Sequence, residues 1–203
     1  MGSEHFDAKA ADWDRDEQKV LRANEVAEAV AAAVPLEPHL RVLEYGAGTG
    51  LVTQALVGRV GPVTLADNSA GMRGVIEQKM AAGVLPGARV WDLDLETQPA
   101  PDERFDLVVT SLVMHHIHAL DLVLSRFAAL LEPGGYLCIA DLDSEDGSFH
   151  QHDFGGHEGF DRAALAAQLS AAGFVGVSVE DCTELDRDGV TYSVFLAVGR
   201  RGA

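Results

Sequence analysis

The chain has 203 residues, 47% of them apolar, and its 15 Lys and Arg against 32 Asp and Glu give a formal charge of −17. That length suits one compact domain with a real core. A surface so negative repels phosphate backbones and anionic headgroups, so neither nucleic acid nor a membrane is expected as a partner. Two cysteines, Cys138 and Cys182, lie in apolar, strand-like stretches, which points to a reducing, cytoplasmic compartment and not to a disulfide framework. No apolar run reaches the roughly 18 residues of a membrane span, and the polar stretch from Met1 to Asp16 does not read as a secretory signal.

In chain order, Asp7 to Val34 has helical periodicity through Trp13, Val20, Leu21, Ala27, Val30 and Val34, and Pro35 and Pro38 end it. Short apolar runs then alternate with helical stretches. Strands are expected at 41–45, 63–66, 88–91, 105–111, 136–142, 175–180 and 190–198. Helices are expected at about 49–58, 69–82, 119–131 and 161–172, the last with Asp161 as N-cap and Gly173 as its stop. The tract 143–159, rich in Gly, His and Asp, reads as a loop. Near-continuous apolar strands alternating with helices mean a mostly parallel sheet covered on both faces, with the last strand entering antiparallel. The expected fold is therefore an α/β, doubly wound, seven-stranded sheet. Residues 1–38 form an N-terminal helical segment able to cover a site, and 39–203 form the domain proper. Ligands of such sheets bind at the carboxyl ends of the strands.

The first strand runs into Glu44-Tyr45-Gly46-Ala47-Gly48-Thr49-Gly50. Glycines allow a tight turn and a close approach of ligand to backbone. A dinucleotide fingerprint would carry its third glycine or an alanine at the position of Leu51, and a carboxylate at Glu44 would repel a pyrophosphate. No Tyr-x-x-x-Lys pair occurs either, so an NAD-linked oxidoreductase is disfavoured. The acid followed by x-G-x-G-x-G resembles the glycine motif of class I S-adenosylmethionine-dependent methyltransferases, in detail the type 11 or UbiE-like group. The resemblance extends over the chain through Asp67, Asp94, the Met114-His115-His116 segment and the Pro133-Gly134-Gly135 turn. Glu132 stands where that family usually has a basic residue.

The resemblance implies S-adenosylmethionine as methyl donor, with S-adenosylhomocysteine as product. Glu44, Tyr45, Gly46, Ala47, Gly48 and Gly50 would form the cofactor loop. Asp67, followed by Asn68, would accept the ribose hydroxyls, and Met72 would pack on adenine. Asp94 would accept from the adenine amino group while the amide of Leu95 donates to the ring, with Asp92 as the rival acid. Ser111 and Met114 would line the methionine end. Phe6 and Trp13 would belong to a segment closing over the cofactor.

Histidines 115, 116 and 118 follow the fourth strand, and histidines 150, 152 and 157 lie in the long loop, with Asp141, Asp143 and Asp153 close in sequence. Their spacing fits no tight zinc motif, so no metal is assigned. His116, and next His115, are the candidate general bases. Little chain is spare for a separate substrate domain. The expected partner is thus a small-molecule methyl acceptor, with the protein a monomer or homodimer. A non-catalytic S-adenosylmethionine-binding module is the alternative.

Overall fold

The computed structural model describes residues 4–150 and 154–202, so His152 and Asp153 lie outside the described residues. Seven strands, β1 (Val42–Tyr45), β2 (Val63–Ala66), β3 (Arg89–Trp91), β4 (Phe105–Ser111), β5 (Leu131–Leu142), β6 (Phe174–Arg187) and β7 (Val190–Arg201), form one sheet in the order β3-β2-β1-β4-β5-β7-β6. The first five pair in parallel, while β7 runs antiparallel to both β5 and β6. This is the doubly wound sheet that the strand and helix alternation predicts. Its sequence order reverses between β1 and β4, so the crevice at their carboxyl ends is where a ligand of this fold sits.

The apolar runs of β1 and β2 are buried at every residue because helices cover both faces. One face carries α2 (Glu17–Ala33), which turns Ala23, Val26, Ala27 and Val30 inward at helical spacing, together with α3 (Leu51–Leu56) and α4 (Ala70–Ala81). The other carries α5 (Leu120–Leu130) and α6 (Arg162–Ala171). Helix α5 buries Leu120, Val123, Leu124, Phe127 and Leu130. At about 1.5–3 kcal/mol per side chain this face stabilises the fold by on the order of 10 kcal/mol. Phe127→Ala alone would cost about 3–5 kcal/mol.

Three elements differ from the sequence expectation. The first helix is split into α1 (Glu4–Asp7), a 3-10 turn (Ala10–Arg15) and α2. The break falls at Asp16, whose carboxylate accepts from the amide of Gln18 and so caps α2. Strand β5 begins at Leu131, with the Pro133-Gly134-Gly135 turn absorbed as an irregularity between the Phe105–Leu131 and Leu107–Tyr136 pairs. Strand β6 runs on to Arg187 and joins β7 through Asp188 and Gly189, both at positive φ (53° and 82°). Two left-handed residues match the right-handed twist of a hairpin.

Candidate active site

The loop after β1 turns into α3 through residues that only glycine suits. Gly46 has φ +66°, and a Cβ there would meet Val113 Cγ2 at 2.3 Å. Gly48 has φ +55°, and a Cβ there would meet nothing within 4 Å. The first glycine is thus required for packing, whereas the second borders open space at the mouth of the crevice. Ala47 is anchored by its amide to the carbonyl of Ala66 (3.0 Å), and Gly50 is the N-cap of α3.

Glu44 lies beneath this loop and is 4% exposed. Its carboxylate accepts from the amide of Thr53 (3.0 Å) and from the Thr53 hydroxyl, tying β1 to α3. Burial pushes its pKa up to about 7, against the lowering by the two Thr53 hydrogen bonds.

Asp67, at the end of β2, accepts from the amide of Gly48 (2.7 Å) through Oδ2 and from the amide of Ser69 (2.8 Å) through Oδ1. It therefore joins the glycine loop to the start of α4. Each carboxylate oxygen can accept more than one hydrogen bond, and burial raises its pKa. The N-cap of α4 is Ser69, which accepts from Met72. Asn68 is exposed, whereas Met72 is 1% exposed.

After β3 the two rival acids separate. Asp92 is exposed and accepts from both terminal nitrogens of Arg73, at 3.1 and 3.0 Å. Asp94 is half-buried and uses Oδ1 for the amide of Glu96 (2.8 Å). The buried amide of Leu95 donates to the hydroxyl of Tyr45 (3.0 Å). The tyrosine thus occupies the donor that the resemblance assigns to adenine, a long-range contact that no local spacing reveals.

Beyond β4 the chain makes a 3-10 turn, Met114–His116. Asp141, wholly buried at the end of β5, organises it. The carboxylate accepts from the amides of Met114 (2.8 Å), His115 (3.3 Å) and Leu142 (2.8 Å), and Oδ1 lies 2.6 Å from Nδ1 of the His115 ring. His115 is 2% exposed. His116 packs edge-on against Phe6 and Phe154, with ring centres at 5.6 and 5.2 Å. Burial, then the neighbouring His115 and His150, push the pKa of His116 down to about 2. Ser111 is half-buried and Met114 fully buried.

The long loop folds back onto this turn. The amide of His157 donates to the His115 carbonyl (2.8 Å) and its Nε2 to the Ile117 carbonyl (2.9 Å), which makes it a brace. His118 is exposed. His150 stacks on Phe154 at 3.6 Å and comes within 5.5 Å of His115 and 5.6 Å of His116, ring centre to ring centre. The sequence places these histidines in two loops that both belong on the carboxyl-end face of the sheet, but no spacing reveals that three of the rings meet.

The N-terminal segment packs against the starts of α3 and α4. Asp7 accepts from the Ser69 hydroxyl (2.5 Å) and the Gly71 amide (2.8 Å). Asp14 pairs with Lys79 and accepts from the Thr49 hydroxyl. Trp13 meets Phe6 at 6.1 Å and carries Lys19 Nζ at 4.6 Å from its ring centre.

Comparison with known proteins places this arrangement. Residues 17–179 match the family model described as a methyltransferase domain. The chain is 38% identical over 148 residues to the biotin biosynthesis bifunctional protein BioCD of Bordetella avium, covering 70% of this chain and 30% of that protein. It is 33% identical over 130 residues to a polyketide synthase-nonribosomal peptide synthetase of Aspergillus clavatus, covering 61% of this chain and 3% of that one. The chain thus spans a third or less of the length of these curated relatives. The fold superposes with a TM-score of 0.74 on the 1,6-didemethyltoxoflavin-N1-methyltransferase of Burkholderia thailandensis, solved with 1,6-didemethyltoxoflavin and S-adenosylhomocysteine bound. Identity there is 21%, over 99% of this chain and 87% of the other. The chain belongs to the methyltransferase domain family, within the class I S-adenosylmethionine-dependent methyltransferases.

Proposed function

We propose that this chain transfers the methyl group of S-adenosylmethionine to a small-molecule acceptor. The observation that carries the reading is the pairing of Gly48 with Asp67. One presents a backbone with no side chain and open space before it, and the other holds that backbone with a carboxylate that has accepting capacity left. This fits a nucleoside whose ribose lies along the loop. When bound, the cofactor supplies a methyl already activated on a sulfonium and leaves as S-adenosylhomocysteine. The protein's work is then to position the acceptor and exclude water.

Asp67 takes the ribose hydroxyls, Met72 and Leu95 wall the base, and the free oxygen of Asp94 takes its amino group. Ser111 and Met114 flank the methionine end. The acceptor sits between the 3-10 turn and residues 4–38 of the N-terminal segment, which act as the cover. Where the acceptor must lose a proton, His115 is the better base of the two histidines. Asp141 fixes its ring, whereas His116 in its apolar setting is a poor proton acceptor. The strong negative charge disfavours nucleic acid as the acceptor.

Methyl-labelled S-adenosylmethionine, incubated with panels of small amines, phenols and carbon acids, tests the reading. Label is expected in one class with the wild type and is expected to be lost with Asp67→Ala. Firm binding of S-adenosylhomocysteine with no transfer to any class would leave a cofactor-binding module without this activity.

A further inference from the structure

The fold gathers His115, His116 and His150 from two loops so that one ring nitrogen of each lies within 4.8 Å of those of the others. We propose that these three imidazoles form a site for one borderline divalent cation of the zinc, cobalt or nickel kind.

Metal–nitrogen bonds of about 2.0–2.1 Å at tetrahedral angles put the nitrogens about 3.4 Å apart and the ring centres about 5 Å apart. The observed centres, 4.2, 5.5 and 5.6 Å apart, already bracket that spacing. Side-chain rotation closes the remaining gap of about 1.4 Å or less between nitrogens. Asp141 supplies the outer support that such a site needs. Held by three backbone amides, it engages Nδ1 of His115 and leaves Nε2 as the lone-pair nitrogen, the carboxylate–histidine–metal arrangement. Nδ1 of His116 is buried and has no hydrogen-bond partner among the described residues, so a cation would satisfy an acceptor that the protein leaves unmatched. An all-nitrogen donor set suits these metals and not magnesium or calcium, which require oxygen. His157 and His118 stand outside the site, the first committed to the Ile117 carbonyl and the second exposed. Three protein ligands leave a fourth position for water or an acceptor oxygen. The site stands whether or not methyl transfer occurs. A bound cation would take the His115 lone pair that proton transfer would use, so the two roles are alternatives for this ring.

The full chain, stripped with chelator and dialysed, is titrated with cobalt(II) chloride while visible absorption is followed, and then challenged with zinc. One equivalent of cobalt bound at micromolar concentration, with the intense visible bands of a low-coordinate site and displacement by zinc, is expected. His150→Ala and His116→Ala should each weaken binding about tenfold or more, and Asp141→Asn about 10- to 100-fold. His39→Gln, on the exposed surface, should leave it unchanged. Absence of saturable binding to the wild type below millimolar cobalt, or equal binding by wild type and His150→Ala, would overturn the proposal. Calorimetry with S-adenosylhomocysteine on the same metal-free protein reads the cofactor pocket separately, so failure of one reading cannot be taken for failure of the other.

Discussion

Alanine at Gly46 and alanine at Gly48 should have opposite consequences, although both residues sit in one loop at positive φ. At Gly46 the new Cβ lands 2.3 Å from Val113 Cγ2 and 2.7 Å from Cγ1. Valine has little freedom to move aside. The left-handed backbone costs about 1–2 kcal/mol for a non-glycine residue, and overpacking adds about 1–3 kcal/mol. A total near 3 kcal/mol lowers the melting temperature by about 6–12 °C in a domain of this size. At Gly48 only the backbone cost applies, about 2–8 °C, because the Cβ meets no protein atom within 4 Å. That Cβ instead enters the space proposed for the cofactor. Gly48→Ala should therefore lose less melting temperature than Gly46→Ala yet bind S-adenosylhomocysteine at least about tenfold more weakly, a loss of about 1.4 kcal/mol. Thermal unfolding without ligand, followed by calorimetry, measures both. Val113→Ala in the Gly46→Ala background should restore part of the lost stability. Equal melting temperatures for the two single variants, or unchanged affinity in Gly48→Ala, would refute the division of the loop into a packed and a ligand-facing glycine.

Two further predictions concern buried carboxylates. Glu44, with its pKa raised from about 4.5 to about 7, binds its proton more readily folded than unfolded. Its contribution is fully present below pH 4.5 and is lost as pH rises through 7, by on the order of 3 kcal/mol. Urea unfolding between pH 5 and 8 should show wild-type stability falling relative to Glu44→Gln across that window, and parallel profiles would contradict the assignment. The carboxylates held low, such as Asp106 beside Arg41, lose their contributions only below about pH 4 and do not enter this window. Asp141→Asn should lower kcat by more than it changes the affinity for S-adenosylhomocysteine, because it disturbs the His115 tautomer and not the glycine loop. A wild-type pH–rate profile in Asp141→Asn would remove Asp141 as the residue that positions His115.

The order of strands and helices was legible because buried parallel strands are nearly continuous in apolar residues and the helices between them are not. Val42–Tyr45 and Val63–Ala66 stand out on those grounds. The glycine loop and the acid closing β2 were legible because both are local in sequence. The break at Asp16 was not, since the apolar periodicity continues across it and only the capping carboxylate marks the new start. The Asp188-Gly189 pair is a strong hairpin signal that the length of β6 obscured. What the sequence hides most is long-range. The Tyr45 hydroxyl on the Leu95 amide, Asp141 beneath His115, and His150 beside His115 each join residues far apart in the chain. Only the completed sheet and the folded-back loop bring them together.

Methyl transfer by this chain requires that the crevice beside Gly48 and Asp67 bind S-adenosylmethionine. The direct measurement is calorimetric titration of S-adenosylhomocysteine into wild type and Asp67→Ala, with NAD as control. Saturable binding to the wild type, weakened markedly by Asp67→Ala and absent with NAD, is the predicted result. No binding of S-adenosylhomocysteine, or a preference for NAD, would contradict it.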